Sequence, residues 1–171
     1  MYRSLPYILL FIVTILLQLC FFNRLAFGPL CSPLIYIALP ILLPLDTRPV
    51  VLLGAGLLCG LAADYSMGTV GLNVAATLPI AFLRPNLIHL LSQHDEGRDE
   101  GIPSPERMGK RIYRLYLAVM VGLHHLIFFT LEALSWTMLP QTLLRIVLSG
   151  IVSIAVIALT ERLLTLKFAR S

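Results

Sequence analysis

The side chains able to do chemistry in this chain are few, and their spacing limits what they can do. The four histidines are His89, His94, His124 and His125. His124 and His125 are adjacent, about 100° apart around a helix, so they do not share one metal-binding face as an i, i+4 pair would. They read as core or interface side chains. His125 and Glu132 lie on roughly one helix face, but about 10 Å apart along it, too far for a direct hydrogen bond. The three cysteines, Cys20, Cys31 and Cys59, form no Cys-x-x-Cys or His/Cys cluster and read as small apolar packers. No Gly-x-Ser-x-Gly, phosphate-binding loop or His-Glu-x-x-His is present. The sequence therefore assigns no catalytic, cofactor-binding or metal-binding residue.

The informative residues lie between Leu52 and Pro85. Gly56 and Gly60 form a Gly-x-x-x-Gly pair, and Ala55, Cys59 and Ala63 repeat the same spacing one row over. Small residues four apart let membrane helices approach closely, which predicts a packing face without specifying a function. Asp64 continues the Gly56–Gly60 row. A carboxylate there is costly unless exposed or partnered, and three readings fit it. It caps a helix or turn, it pairs with Arg24 or Arg145, or it contacts a partner protein or ligand. Gly68 and Gly71 suit a tight turn. Asn73 and Thr77, one turn apart, read as interhelical hydrogen-bonding glue or as the lining of a small polar pocket. Arg84 lies 16 residues after Gly68, about 24 Å along a helix. That predicts a place near the end of its span, where the side chain could snorkel beside a Pro85 kink. An Asp64–Arg84 pair is not expected.

The elements that position these residues follow from composition. Of 171 residues, 58% are hydrophobic and 13% charged, about half the ~25% charge of a soluble domain. That excludes an ordinary soluble domain and a disordered chain, and implies a protein of the lipid bilayer. Charge gaps predict an all-α, polytopic membrane protein with six transmembrane helices, at about residues 5–22, 33–45, 50–63, 68–91, 112–131 and 140–164. All belong to one membrane domain. The first run is too long for a signal-peptide core and reads as a retained span. The second is short for a ~30 Å core, and Pro33, Pro29 and Gly28 interrupt its extension. A polar connector spans residues 92–110, where two Gly and two Pro argue against a long helix. It reads as a solvated cytoplasmic loop or as a docking segment for a cytoplasmic partner.

The net charge of +4 fits orientation better than nucleic-acid binding. With both termini cytoplasmic, the inside segments hold Arg3, Arg48, Arg98, Arg107, Lys110, Arg111, Arg114, Arg162, Lys167 and Arg170. The outside segments hold Arg24 and Arg145. This obeys the positive-inside rule. Omitting spans two and three together keeps the parity, so a re-entrant pair fits as well. Tyr113, Tyr116 and Trp136 suit interfacial belts at the two ends of span five.

The string Gly60-Leu61-x-x-Asp64-x-x-x-Gly68-x-x-Gly71-Leu72, followed by Arg84-Pro85, resembles the bacterial rod shape-determining MreD family. Length, the six spans, the start of the first span and the Gly-Ile-Pro-Ser stretch before span five extend the resemblance along the chain. It implies a multi-pass subunit of the bacterial inner membrane, without cofactor, in the cell-elongation machinery. Its implied partners are MreC, MreB, RodA and the cognate penicillin-binding protein, besides membrane lipid. The family is similar in architecture to the substrate-binding subunits of energy-coupling-factor transporters. It supplies no agreed catalytic residue to carry over. A small-molecule-binding transporter subunit is the alternative, but span one lacks the Ala-x-x-x-Ala-type face such subunits dock with.

Overall fold

A computed structural model describes residues 5–23, 30–91, 101–133 and 139–168. Arg3, Arg24, His94, Arg98, Trp136, Arg170 and residues 92–100 of the polar connector lie outside the described residues, as does the side chain of Lys167. Every regular element among the described residues is helical. They run α1 (Leu5–Leu17), a π-helical turn (Gln18–Phe22), α2 (Ala38–Leu42), α3 (Pro49–Met67), α4 (Leu72–Leu91), α5 (Pro105–Met108), α6 (Lys110–Ala133) and α7 (Leu139–Phe168). Four of these, α3, α4, α6 and α7, are long and apolar enough to cross a membrane, and residues 6–22 form a shorter apolar helix.

Local chemistry sets the boundaries. Pro49 opens α3 at its first turn, where its missing N–H costs nothing. Gly68 closes it in the left-handed conformation, φ 68° and ψ 25°, which glycine adopts without a Cβ penalty. Span three thus grows from the expected 50–63 to a 19-residue helix. Helix α4 continues through Pro79 and Pro85. The Ser104 side chain caps the single turn α5, accepting from the Arg107 N–H.

Helices α3 and α4 form the tightest pair. A Cβ on Gly56 would sit 2.9 Å from the Ala81 Cβ, and one on Gly60 would sit 2.7 Å from the Val74 Cα. Cys59 and Ala63 are fully buried beside them, and Ala55 is partly buried. The small-residue face therefore packs within the chain, against α4. Gly60→Ala is expected to cost about 1–3 kcal/mol, because the obstacle is backbone and cannot rotate away. Gly54→Ala, whose Cβ would meet nothing within 4 Å, is the matched control and should leave stability unchanged or slightly raised. Detergent-phase thermal melting of the two variants would show the contrast. Equal midpoints would refute the packing argument.

The second span differs most from expectation. Between residues 33 and 45 only five residues are helical, and they are buried on every side. Proline explains this. Pro33 and Pro44 flank the segment and Pro40 sits in the helical turn. Leu43, just before Pro44, is extended with ψ 153°, as the residue preceding a proline tends to be. Residues 34–43 nonetheless contain much of the hydrophobic core, with Leu34, Tyr36, Ile37, Ile41 and Leu42 almost completely enclosed.

Candidate functional site

A segment without a helical hydrogen-bond ladder needs other partners for its buried backbone. Side chains from four helical elements supply them. At its start, the Ser32 N–H donates to Ser149 Oγ at 2.8 Å and the Leu34 N–H to Ser153 Oγ at 3.1 Å, both on α7. Gln18, turned inward by the π-helical turn, accepts from the Ile35 N–H at 2.7 Å and donates to the Pro33 carbonyl at 3.1 Å. At its end, the Tyr116 hydroxyl of α6 donates to the Ile41 carbonyl at 2.8 Å. Arg84 of α4 donates through Nη2 to the Leu43 carbonyl, through both terminal nitrogens to the Pro44 carbonyl, and through Nε to the Tyr116 hydroxyl at 2.9 Å. The Leu45 N–H reaches the Gly101 carbonyl at 2.8 Å.

Arg84 is thus no snorkelling side chain. It is completely buried, and its partners among the described residues are neutral oxygens. The long side chain turns inward toward the Leu43 carbonyl, which has no backbone donor in a helical ladder, and shares the Pro44 carbonyl with the Thr47 N–H and hydroxyl. Pro85 is half-buried beside it. Tyr113 and Tyr116 also depart from the interfacial reading, since both are buried. Tyr116 belongs to the Arg84 cluster, whereas the Tyr113 hydroxyl has no hydrogen-bond partner among the described residues.

Asp64 resolves as a cap. Its Oδ1 accepts from the Thr69 hydroxyl at 2.6 Å, the Asn73 N–H at 3.0 Å and the Asn73 side-chain amide at 3.0 Å. Its Oδ2 accepts from the Val74 N–H at 3.0 Å. Asn73 and Val74 are in the first turn of α4, whose unpaired N–H groups and positive dipole end favour a carboxylate. Gly71, just before α4, has φ +79° and no side chain with which to cap. The carboxylate of the preceding helix takes over that task. Arg145, one cation considered for Asp64, pairs instead with Glu132 at 2.8 Å.

Between Asp64 and Arg84 lies a buried chain of neutral groups. The Tyr36 hydroxyl donates to Asn73 Oδ1 at 2.8 Å and lies 3.0 Å from His124 Nε2. Thr77 donates to the Asn73 carbonyl at 2.6 Å and lies 3.3 Å from the same nitrogen. Both hydroxyl protons are committed, so His124 donates from Nε2 and leaves Nδ1 as a buried acceptor without a partner among the described residues. His125 contacts the Val121 carbonyl at 2.9 Å and Ser153 Oγ at 3.1 Å. Among the described residues no group of three His, Cys, Asp or Glu side chains could hold a metal ion. The histidines' hydrogen bonds run to core hydroxyls and a carbonyl, an arrangement that holds elements together.

The structure brings Gly60, Asp64, Gly68, Gly71 and Asn73 into one hairpin and puts Arg84 in a separate cluster. Sequence reasoning missed Tyr36, Tyr116, Ser149 and Ser153 as partners. Their only signal was polarity inside apolar runs. The fold defines a class, an all-helical protein with four helices long and apolar enough to cross a membrane. No family model, curated protein or solved structure matches the chain.

Proposed function

We propose that the chain is a non-enzymatic scaffold subunit of the bacterial cell-elongation complex, of the MreD type. In this reading it couples MreB filaments and MreC to peptidoglycan synthesis by RodA and its cognate penicillin-binding protein. One observation carries the reading. The residues of the Gly60–Leu72 string that bear the resemblance act together in one substructure. Gly60 admits the Val74 backbone, Asp64 caps α4, Gly68 ends α3 and Gly71 precedes α4. A motif of this kind encodes a rigid hairpin, which is what a scaffold presents to partner helices.

The chain crosses the inner membrane six times with both termini cytoplasmic. Five crossings are helical, and residues 31–45 make the second as an irregular strand of chain. Ser32 lines a cleft with Glu132 and Arg145 near the end of α6, while Leu45 bonds Gly101, nine residues ahead of the start of α6. The 24 residues of α6 are about 36 Å long, enough to cover a ~30 Å hydrocarbon core. The basic residues Arg107, Lys110, Arg111 and Arg114 then face the cytoplasm and its anionic lipid.

Affinity purification from native membranes tests the assignment. Recovery of MreC with RodA is the expected result, together with loss of rod shape on depletion. Recovery of an ABC-type ATPase pair would replace it with the transporter reading.

A further inference from the structure

A cleft of about 500 Å³ opens at the end of the bundle where α6 finishes and α7 begins. This volume is typical of small-molecule sites. One wall is the irregular backbone around Ser32, and another carries the Glu132–Arg145 ion pair, with Asn23 and Phe128 also lining the space. That backbone is already bonded, Ser32 and Leu34 to the α7 serines and Pro33 to Gln18, so the charged side chains carry the polar capacity the cleft offers a ligand.

The charged pair is only partly used. Arg145 meets Glu132 through Nη1 at 2.8 Å, its guanidinium lies 4.6 Å above the Phe129 ring, and its buried Nε has no hydrogen-bond partner among the described residues. The side chains remain 26% and 37% exposed, so both can reach a bound molecule. A bare anion would leave the site net negative, since Glu132 already balances Arg145, and a bare cation would leave it net positive. In a partly desolvated cleft either imbalance is costly. A molecule bearing both charges keeps the site neutral while giving each side chain a second partner.

We propose that this cleft binds a zwitterionic group whose oxyanion meets Arg145 and whose ammonium meets Glu132, a chemistry that phosphoethanolamine compounds carry. A phospholipid headgroup and a free solute both carry that chemistry. The site is independent of the elongation-complex reading and stands or falls on direct binding.

Calorimetric titration of the full chain in detergent tests it with three probes. They are dihexanoyl phosphatidylethanolamine, glycerophosphoethanolamine, and dihexanoyl phosphatidylglycerol, which has the phosphodiester but no ammonium. Saturable binding of an ethanolamine probe is expected, at least tenfold tighter than phosphatidylglycerol and weakened at least tenfold by Arg145→Gln or Glu132→Gln. Tight binding of the lipid alone identifies a membrane source, and equal binding of glycerophosphoethanolamine identifies a solute. Ser32→Leu narrows the cleft without touching the pair and should abolish binding while helical content and melting midpoint persist. Absence of saturation, equal affinity for phosphatidylglycerol, or wild-type affinity in folded Ser32→Leu would each overturn the proposal.

Discussion

Arg84→Ala is expected to destabilise the protein by about 3 kcal/mol, the balance of three effects. The Leu43 carbonyl loses its buried donor, which costs roughly 1–3 kcal/mol. Truncating a fully buried side chain leaves a cavity, worth about 2–5 kcal/mol when large apolar groups are deleted. Against these, the variant no longer has to desolvate a guanidinium whose partners are all neutral. Arg84→Lys keeps the charge but not the planar fork. It cannot serve the Leu43 and Pro44 carbonyls and the Tyr116 hydroxyl together, so it should recover only part of the loss. The damage should be local. Hydrogen exchange should accelerate across residues 38–45, while the α3–α4 hairpin keeps its protection. A wild-type melting midpoint for Arg84→Ala would show that the cluster does not hold the segment.

Asp64→Ala should cost about 2–4 kcal/mol for a different reason. The Asn73 and Val74 N–H groups would lose their acceptor at a helix start where Gly71 offers none. Hydrogen bonds to a charged acceptor contribute about 1.5–3 kcal/mol each, and partial rehydration at this turn reduces the sum. Asp64→Asn keeps one acceptor oxygen and should lose about half as much. The same variant separates capping from partner contact. If the proposed MreC partnership holds, Asp64→Asn below its melting midpoint should recover MreC as well as wild type, because all four donors to the carboxylate found among the described residues come from this chain. Impaired recovery from a folded variant would instead assign Asp64 to an interface.

The two charged residues of the central stretch illustrate what sequence reading can reach. Asp64 was legible as one of three alternatives, because its distance from Gly68 and Gly71 already suggested a junction. Its donors lie five to ten residues away, within the range of a turn. Arg84 was not legible. Its acceptors lie 32 to 41 residues away, on α6 and the irregular segment. Counting along a straight helix placed it near a membrane surface, and that arithmetic carries no information about a carbonyl approaching from the side. Tyr116 was misread for the same reason.

The amino-acid sequence by itself determined that the chain is helical and apolar, about where α3 begins, that a glycine turn follows it, and which small residues form a close-packing face, although it ended α3 four residues early. Each of these follows from properties local to a few turns: apolar runs, a proline without an N–H, a glycine free to adopt positive φ, and a four-residue period. Only the tertiary structure decided that residues 31–45 hold no more than one short helix, are buried from 33 to 43, and are held by Gln18, Ser149, Ser153, Tyr116 and Arg84. A helix satisfies its backbone from within, so its sequence suffices to announce it. An irregular buried segment must borrow donors and acceptors from distant helices, and those partners become known only once the helices have packed.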